Sequence, residues 1–127
     1  MVSRGNLELG VRGEEIAVDL LKKNGYRIIA RNYRTKLGEI DIIATQGGTI
    51  CFVEVKARKS IKFGLPEESV ATTKQKHAAR AALFYLKQNK LFDKKARFDV
   101  VSILLSPEKA ETKLIKNAFD LNTQFLY

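Results

Sequence analysis

The hydrophobic pattern predicts two helices. Apolar residues recur over Leu7–Asn24 with the spacing of one helical face, and Gly25 follows as a C-terminal stop. The same spacing predicts a second helix over Thr72–Asn89, whose other faces carry several lysines and arginines. The apolar positions are Ile16, Ala17, Leu20 and Leu21 in the first helix, and Ala78, Ala79, Ala82, Leu83 and Leu86 in the second.

The remaining segments read mainly as strands, separated by turn and loop residues. The residues 60–65 and Pro66 are predicted to form a loop, and Ser106 and Pro107 end the strand before them. The order α-β-β-β-α-β, with a possible last β, predicts an α/β fold in which helices flank a mixed sheet. No linker divides the chain, so residues 1–127 are predicted to form one domain. The predicted strands are Tyr26–Tyr33, Gly38–Thr45, Thr49–Ala57, Arg97–Leu105 and a short edge strand, Lys113–Phe119.

The turn between the second and third strands predicts their register. A turn at Gly47–Gly48 sets Gln46 opposite Thr49, so that opposed residue numbers sum to 95. Asp41 then lies opposite Glu54. Opposed Cβ atoms are about 4.5–5.5 Å apart. The sequence therefore predicts two carboxylates in close proximity.

Strand alternation also predicts which side chains share a face. Glu54 and Lys56 are expected on one face with Phe52, and Glu39 is expected opposite Lys56. The other face is expected to enter the core. Its predicted members are Cys51, Val53 and Val55 on one strand and Ile40 and Ile42 on the other, while Glu39, Asp41 and Ile43 share the polar side.

This hairpin has a chemical and a structural interpretation. Close carboxylates repel each other, and Mg²⁺ is a hard cation that one or two carboxylates with waters can hold. Lys56 beside Glu54 could hold an attacking water and stabilise charge on a phosphate. The alternative is a solvated sheet face with interstrand ion pairs. A pairing of Glu39 with Lys56 fits that alternative, whereas Asp41 opposite Glu54 does not.

The sequence resembles the YraN-like family, which belongs to the PD-(D/E)xK restriction-endonuclease-like superfamily. Proteins of this family look similar to archaeal Holliday-junction resolvases. The hairpin segments 38–44 and 52–58 carry most of the resemblance. It covers nearly the whole chain. Further matching positions are Gly13, Glu14, Ala17, Asn32–Arg34, Phe63, Gly64, Lys74, Gln75, Arg97–Val100 and Asn117–Phe119.

The resemblance implies a role for each motif residue. Asp41, Glu54 and Lys56 match the catalytic acids and lysine, and the Val55 carbonyl would join Asp41 and Glu54 at the metal. Ile40 replaces the proline of the motif name, at a position that varies across the superfamily.

Three more polar residues have weaker assignments around this motif. The resemblance makes Glu14 a further metal ligand, although its position nearly opposite Ile16 favours a solvated helix face. The resemblance also makes Gln75 a polar neighbour of the motif lysine, Lys56. Glu39 is expected to pair with Lys56 or to support the metal ligands.

The net charge of +9 favours a polyanionic partner, since neutralising phosphates releases counterions. A charge that serves only solubility is the alternative. The basic residues are spread along the chain, which argues against a membrane-surface helix, and no apolar stretch is long enough to span a bilayer. The candidates for phosphate contact are Arg34, Lys36, Arg58, Lys59, Lys62, Lys74 and Lys76.

Three other residues could carry chemistry but have simpler interpretations. Cys51 is the one cysteine and lies in an apolar stretch, so it is expected to be a buried hydrophobe. His77 is expected on a helix surface. Asp99 is expected to hold a basic residue or the helix, with catalysis as the alternative.

Together these features predict a Mg²⁺- or Mn²⁺-dependent endonuclease that hydrolyses DNA, with branched or single-stranded DNA as candidate substrates. A protein that binds nucleic acid without cleaving it, and a scaffold for an acidic protein, are the alternatives. Cytoplasmic location is expected because no secretion signal precedes the first helix. The resemblance also allows a homodimer.

Overall fold

A computed structural model describes residues 4–59 and 72–119. Helix α1 spans Arg4–Lys23 and helix α2 spans Thr72–Gln88. Neither is long and apolar enough to cross a membrane. Five strands complete this part of the chain: β1 is Arg27–Thr35, β2 is Gly38–Gln46, β3 is Thr49–Arg58, β4 is Ala96–Leu105 and β5 is Ala110–Phe119.

The strands form one mixed sheet in the order β1-β2-β3-β4-β5. The β3–β4 pair is parallel and the other three pairs are antiparallel. A parallel pair needs a crossover connection, and α2 lies in the segment that joins β3 to β4. The predicted mixed α/β architecture is therefore confirmed, including β5 at the edge.

Each face of the sheet packs against one helix. Ile42 and Cys51 belong to the cluster that contains Leu21 of α1. Their chain neighbours Ile43 and Phe52 belong to the cluster that contains residues of α2. Because successive side chains of a strand point to opposite faces, the two helices cover opposite faces of the sheet.

The predicted elements are all present, with modest differences at their ends. Helix α1 begins at Arg4 rather than Leu7, and β5 begins at Ala110 rather than Lys113. The other boundaries differ by no more than two residues. Such differences are expected, because helix and strand ends depend on capping and packing more than on the apolar period. The predicted loop 60–65, Lys62 and Pro66 lie outside the described residues.

The register predicted from the two glycines is confirmed in the β2–β3 hairpin. Gln46 pairs with Thr49, and the pairing continues to Ile42 and Val53. The turn residues Gly47 and Gly48 have φ angles of 55° and 83°, a region that glycine enters without steric cost.

Beyond that register the sheet forks. The β2–β3 ladder ends at Ile42 and Val53, while β2 stays paired with β1 as far as Gly38. Strand β3 stays paired with β4 as far as Arg58. Asp41 and Glu54 are the first residues past the last β2–β3 pair, so they lie at the base of this fork, which we call the β2–β3 fork.

The fork corrects part of the predicted face assignment. Ile40 packs with Ile43 in the α2 cluster rather than with Ile42. The alternation fails at Asp41, the level at which the β2–β3 ladder ends. The adjacent strand is also irregular at this level, since Asn32 of β1 has a φ of 53°.

Candidate metal site at the β2–β3 fork

The fork brings the two motif carboxylates together. Oδ2 of Asp41 accepts a hydrogen bond from the backbone N–H of Val55 at 2.8 Å. This bond links β2 to β3 just where their regular ladder has ended. Glu54 directly precedes Val55 on β3, and its side chain is only 7% exposed. The sequence predicted a wet polar face at this point, whereas the structure buries Glu54 on the side of α2. The solvated-hairpin alternative therefore does not describe Glu54.

The pKa of Asp41 is raised by its burial and by the neighbouring carboxylate. Burial, followed by the nearby charge of Glu54, raises the pKa of Asp41 from 3.8 to about 7. The hydrogen bond from Val55 opposes the rise but does not cancel it. Even with the charge of Lys74 nearby, this site therefore disfavours ionisation of both carboxylates below about pH 7.

Two lysines approach Glu54 from different elements. Nζ of Lys56, on β3, lies 3.6 Å from Oε1 of Glu54. Nζ of Lys74, on α2, contacts the same oxygen. Burial and the neighbouring charge of Lys74 lower the pKa of Lys56. Burial alone would lower the pKa of Lys74 as well, but its contact with Glu54 raises it overall.

Lys74 was predicted only as a phosphate contact, so its place beside Glu54 was missed. No local pattern identifies it, because its position depends on where α2 packs after the β3–β4 crossover. The one available signal was the run Thr72–Lys74 at the start of the predicted helix. That run indicates where the helix starts along the chain but gives no distance to Glu54.

The residues at the fork fit a hard divalent cation. Oε1 of Glu54 is buried and has no hydrogen-bond donor in good geometry among the described residues, although two ammonium groups lie against it. The partly buried carboxylate of Asp41 stands next to it with a raised pKa. Two adjacent carboxylates and a backbone carbonyl such as that of Val55 are oxygen donors that Mg²⁺ and Mn²⁺ accept.

Glu14 is held by two residues of β1. Its Oε1 accepts hydrogen bonds from Nε of Arg31 at 2.9 Å and from Nδ2 of Asn32 at 3.2 Å. Among the described residues, no group of three His, Cys, Asp or Glu side chains could hold one metal ion. The fork thus assembles two carboxylates without Glu14, whose role as a ligand stays a prediction.

The predicted pairing of Glu39 with Lys56 is not formed. Glu39 pairs instead with Arg34 of β1 at 3.3 Å, and both side chains are largely exposed. The fork explains the difference, because it separates this end of β2 from β3. Gln75 follows Lys74 on α2 and is partly buried. Its predicted support of the lysine stays a prediction.

A basic groove adjoins the site. It has a volume of about 450 Å³ and lies between the β1–β2 turn and the start of α2. Three other predicted phosphate contacts lie outside this groove. Arg58 and Lys76 are partly buried, and Lys59 is exposed just after β3. The groove's lining includes Arg34, Lys36, Leu37, Glu39, Lys74 and His77. It therefore gathers three of the seven predicted phosphate contacts, and we call it the basic groove.

The other candidate residues have structural roles. Asp99 is fully buried and accepts hydrogen bonds from Tyr26 Oη at 2.7 Å and Arg97 Nε at 3.0 Å. It also accepts one at 2.9 Å from the backbone N–H of Asn117, where the β4–β5 register shifts. The predicted tie to a basic residue is confirmed. Cys51 is buried as expected, and burial raises the pKa of its thiol to about 11. His77 is exposed.

Fold and site together define a mixed α/β protein with a paired-carboxylate site at a fork in its sheet. Residues 13–103 match the model of the uncharacterised protein family UPF0102. The chain belongs to this family, which is YraN-like.

Several relatives carry the same family name. The UPF0102 protein of Caldicellulosiruptor saccharolyticus is 52% identical over 114 residues, covering 88% of this chain and 97% of its own. That of Syntrophus aciditrophicus is 50% identical, covering 91% of both chains. That of Syntrophomonas wolfei is 46% identical, covering 90% of this chain and 99% of its own. These names assign no activity.

Proposed function

We propose that this protein is a metal-dependent endonuclease of the restriction-endonuclease-like PD-(D/E)xK superfamily that hydrolyses DNA phosphodiester bonds. The observation that carries the proposal is the pairing of Asp41 and Glu54 at the β2–β3 fork. Two carboxylates this close in a partly buried site are unfavourable for folding alone, and the pKa of Asp41 stays raised although two lysines lie against Glu54. A divalent cation gives the pair a function and removes the repulsion.

The neighbouring residues have complementary roles in this proposal. Bound Mg²⁺ or Mn²⁺ would act as a Lewis acid on the scissile phosphate and on the attacking water. Asp41 and Glu54 would hold the cation, and the Val55 N–H keeps the Asp41 carboxylate oriented. Lys56 positions the attacking water and stabilises the negative charge that develops on the phosphate.

The choice of a nucleic acid as the substrate rests on charge, and the choice of DNA rests on the resemblance to DNA nucleases. The net charge of +9 favours a polyanion, and the basic groove reaches the carboxylate pair through Lys74. A groove with Arg34, Lys36 and Lys74 on its walls can follow a phosphate backbone without reading base edges. Branched and single-stranded DNAs therefore belong in the substrate panel alongside duplexes.

The test is cleavage of end-labelled duplex, single-stranded and branched DNAs with Mg²⁺ or Mn²⁺. We expect cleavage by the wild type and none in EDTA. Asp41→Asn and Lys56→Met should each lower the rate by about 100-fold or more, the usual scale for removing a group that stabilises the transition state. Equal cleavage by these variants and the wild type would show that the activity is a contaminant.

Matched controls come from the opposite edge of the sheet. Glu111 and Lys109 form an exposed ion pair at the start of β5. Glu111→Gln and Lys109→Met change the same charges as the site variants, and both should cleave like the wild type. A protein that binds DNA with and without EDTA but cleaves none under any metal would be the non-cleaving alternative.

A further inference from the structure

The side chain of Lys74 belongs to two sites at once. Its Nζ contacts Oε1 of Glu54 inside the fork, and the residue also lines the basic groove beside Lys36 and His77. Its side chain is 41% exposed, whereas that of Lys56 is 21% exposed. Of the two lysines on Glu54, Lys74 is therefore the more exposed, and it is the one that borders the groove.

The ammonium group of Lys74 contacts Oε1 of Glu54, an oxygen that the proposed divalent cation would need as a ligand. Glu54 is mostly buried, so its Oε1 has little room for two ammonium groups and a metal ion together. Two ammonium groups on one carboxylate oxygen also repel each other. The departure of Lys74 would relieve that repulsion and free Glu54.

We infer that Lys74 is an exchangeable counter-ion: it neutralises Glu54 in the metal-free protein, and on metal binding it turns into the basic groove to bind a DNA phosphate. This inference rests on the proposed metal site at Asp41 and Glu54. Lysine suits such an exchange because its charge sits on a flexible four-carbon stem with three donors. Metal binding and phosphate binding are then coupled, since each favours the same position of Lys74.

Mn²⁺ titration without DNA tests the first half of the exchange. Lys74→Met keeps the length of the side chain and removes the competing charge. We expect it to bind Mn²⁺ about tenfold more tightly than the wild type, the scale for losing one close charge in a partly exposed site. Lys87→Met, an exposed lysine of the same helix, should bind Mn²⁺ like the wild type. Circular dichroism establishes that each variant is folded.

DNA binding, followed by fluorescence anisotropy, tests the second half. In EDTA, Lys74→Met should bind a duplex about as well as the wild type, because Lys74 is then held by Glu54. In Ca²⁺, which takes the same oxygen ligands, the wild type should gain affinity and Lys74→Met should gain several-fold less. Lys74→Gln should follow Lys74→Met in both assays.

The outcomes separate this inference from the proposed function. If Lys74→Met binds Mn²⁺ no more tightly than the wild type, the exchange is overturned. If Asp41→Asn at the same time loses the Mn²⁺ binding that the wild type shows, the metal site is supported. An equal gain in DNA affinity from Ca²⁺ in both proteins also overturns it. No Mn²⁺ binding by the wild type would refute the proposed function and the exchange together.

Discussion

At the residue scale, the central feature is the environment of Asp41. A carboxylate beside another carboxylate, partly out of water, holds its proton more tightly than it would in an unfolded chain. Its pKa of about 7, against an ordinary 3.8, places its ionisation near physiological pH. Metal binding would need the ionised form, so metal affinity should fall as the pH drops below 7.

The same shift gives a prediction for stability without metal. Between about pH 4 and pH 7 the folded protein holds the Asp41 proton and the unfolded chain does not, so the free energy of unfolding falls as pH rises through this window. Asp41→Asn removes this ionisation and can still accept the hydrogen bond from Val55.

We therefore expect Asp41→Asn in EDTA to be more stable than the wild type at pH 8, by roughly 2 kcal/mol. The difference should shrink towards pH 4. Urea unfolding across this pH range measures both quantities. A variant that is less stable than the wild type at pH 8 would contradict the raised pKa.

At the scale of elements, α1 is set against the sheet by one close approach. A Cβ added at Gly13 would lie 2.8 Å from Cβ of Ala57 on β3. Ala57 is a short side chain on a central strand and cannot swing away. Gly13 therefore brings α1 close to β3, the strand that carries Glu54 and Lys56. Gly10 of the same helix has open space around it.

This contrast predicts opposite effects for two similar substitutions. Gly10→Ala should raise the free energy of unfolding by about 0.5–1 kcal/mol, because alanine is the better helix former. Gly13→Ala should lower the free energy of unfolding by about 1–2 kcal/mol despite the same gain in helix propensity, since the added methyl group overpacks the α1–β3 contact. Urea unfolding of both variants checks the signs. Stabilisation by Gly13→Ala would show that α1 can move away from β3 at little cost.

At the scale of the whole molecule, part of the net charge of +9 is gathered around the basic groove. Arg34 and Lys36 border it at the β1–β2 turn, on the side of the sheet covered by α2. Lys109 lies at the other edge, next to Glu111. The distribution predicts that the groove, rather than the charge as a whole, determines how phosphates bind.

Salt dependence of duplex binding tests this distribution. The logarithm of the binding constant should fall linearly with the logarithm of salt concentration, and Arg34→Gln and Lys36→Gln should each make the slope shallower by about 1. Lys109→Gln should leave the slope unchanged. Equal effects of all three variants would mean that DNA contacts the protein through diffuse charge and not through the groove.

Sequence alone determined the features that depend on local physics. The apolar period located both helices, and the turn at Gly47–Gly48 fixed a register that holds as far as Ile42 and Val53. These features are predictable because side-chain alternation and turn geometry act over a few neighbouring residues. The expectation that Asp41 and Glu54 lie together follows from the same register, and the structure brings them together at its end.

Tertiary structure decided what that register could not. The fork separated Glu39 from Lys56, and the packing of α2 buried Glu54 and brought Lys74 onto it. Glu14 forms hydrogen bonds with Arg31 and Asn32 of β1, which the sequence did not indicate. Each of these outcomes depends on how distant segments pack, and strand alternation carries no information about the distance between a sheet and the helix that covers it.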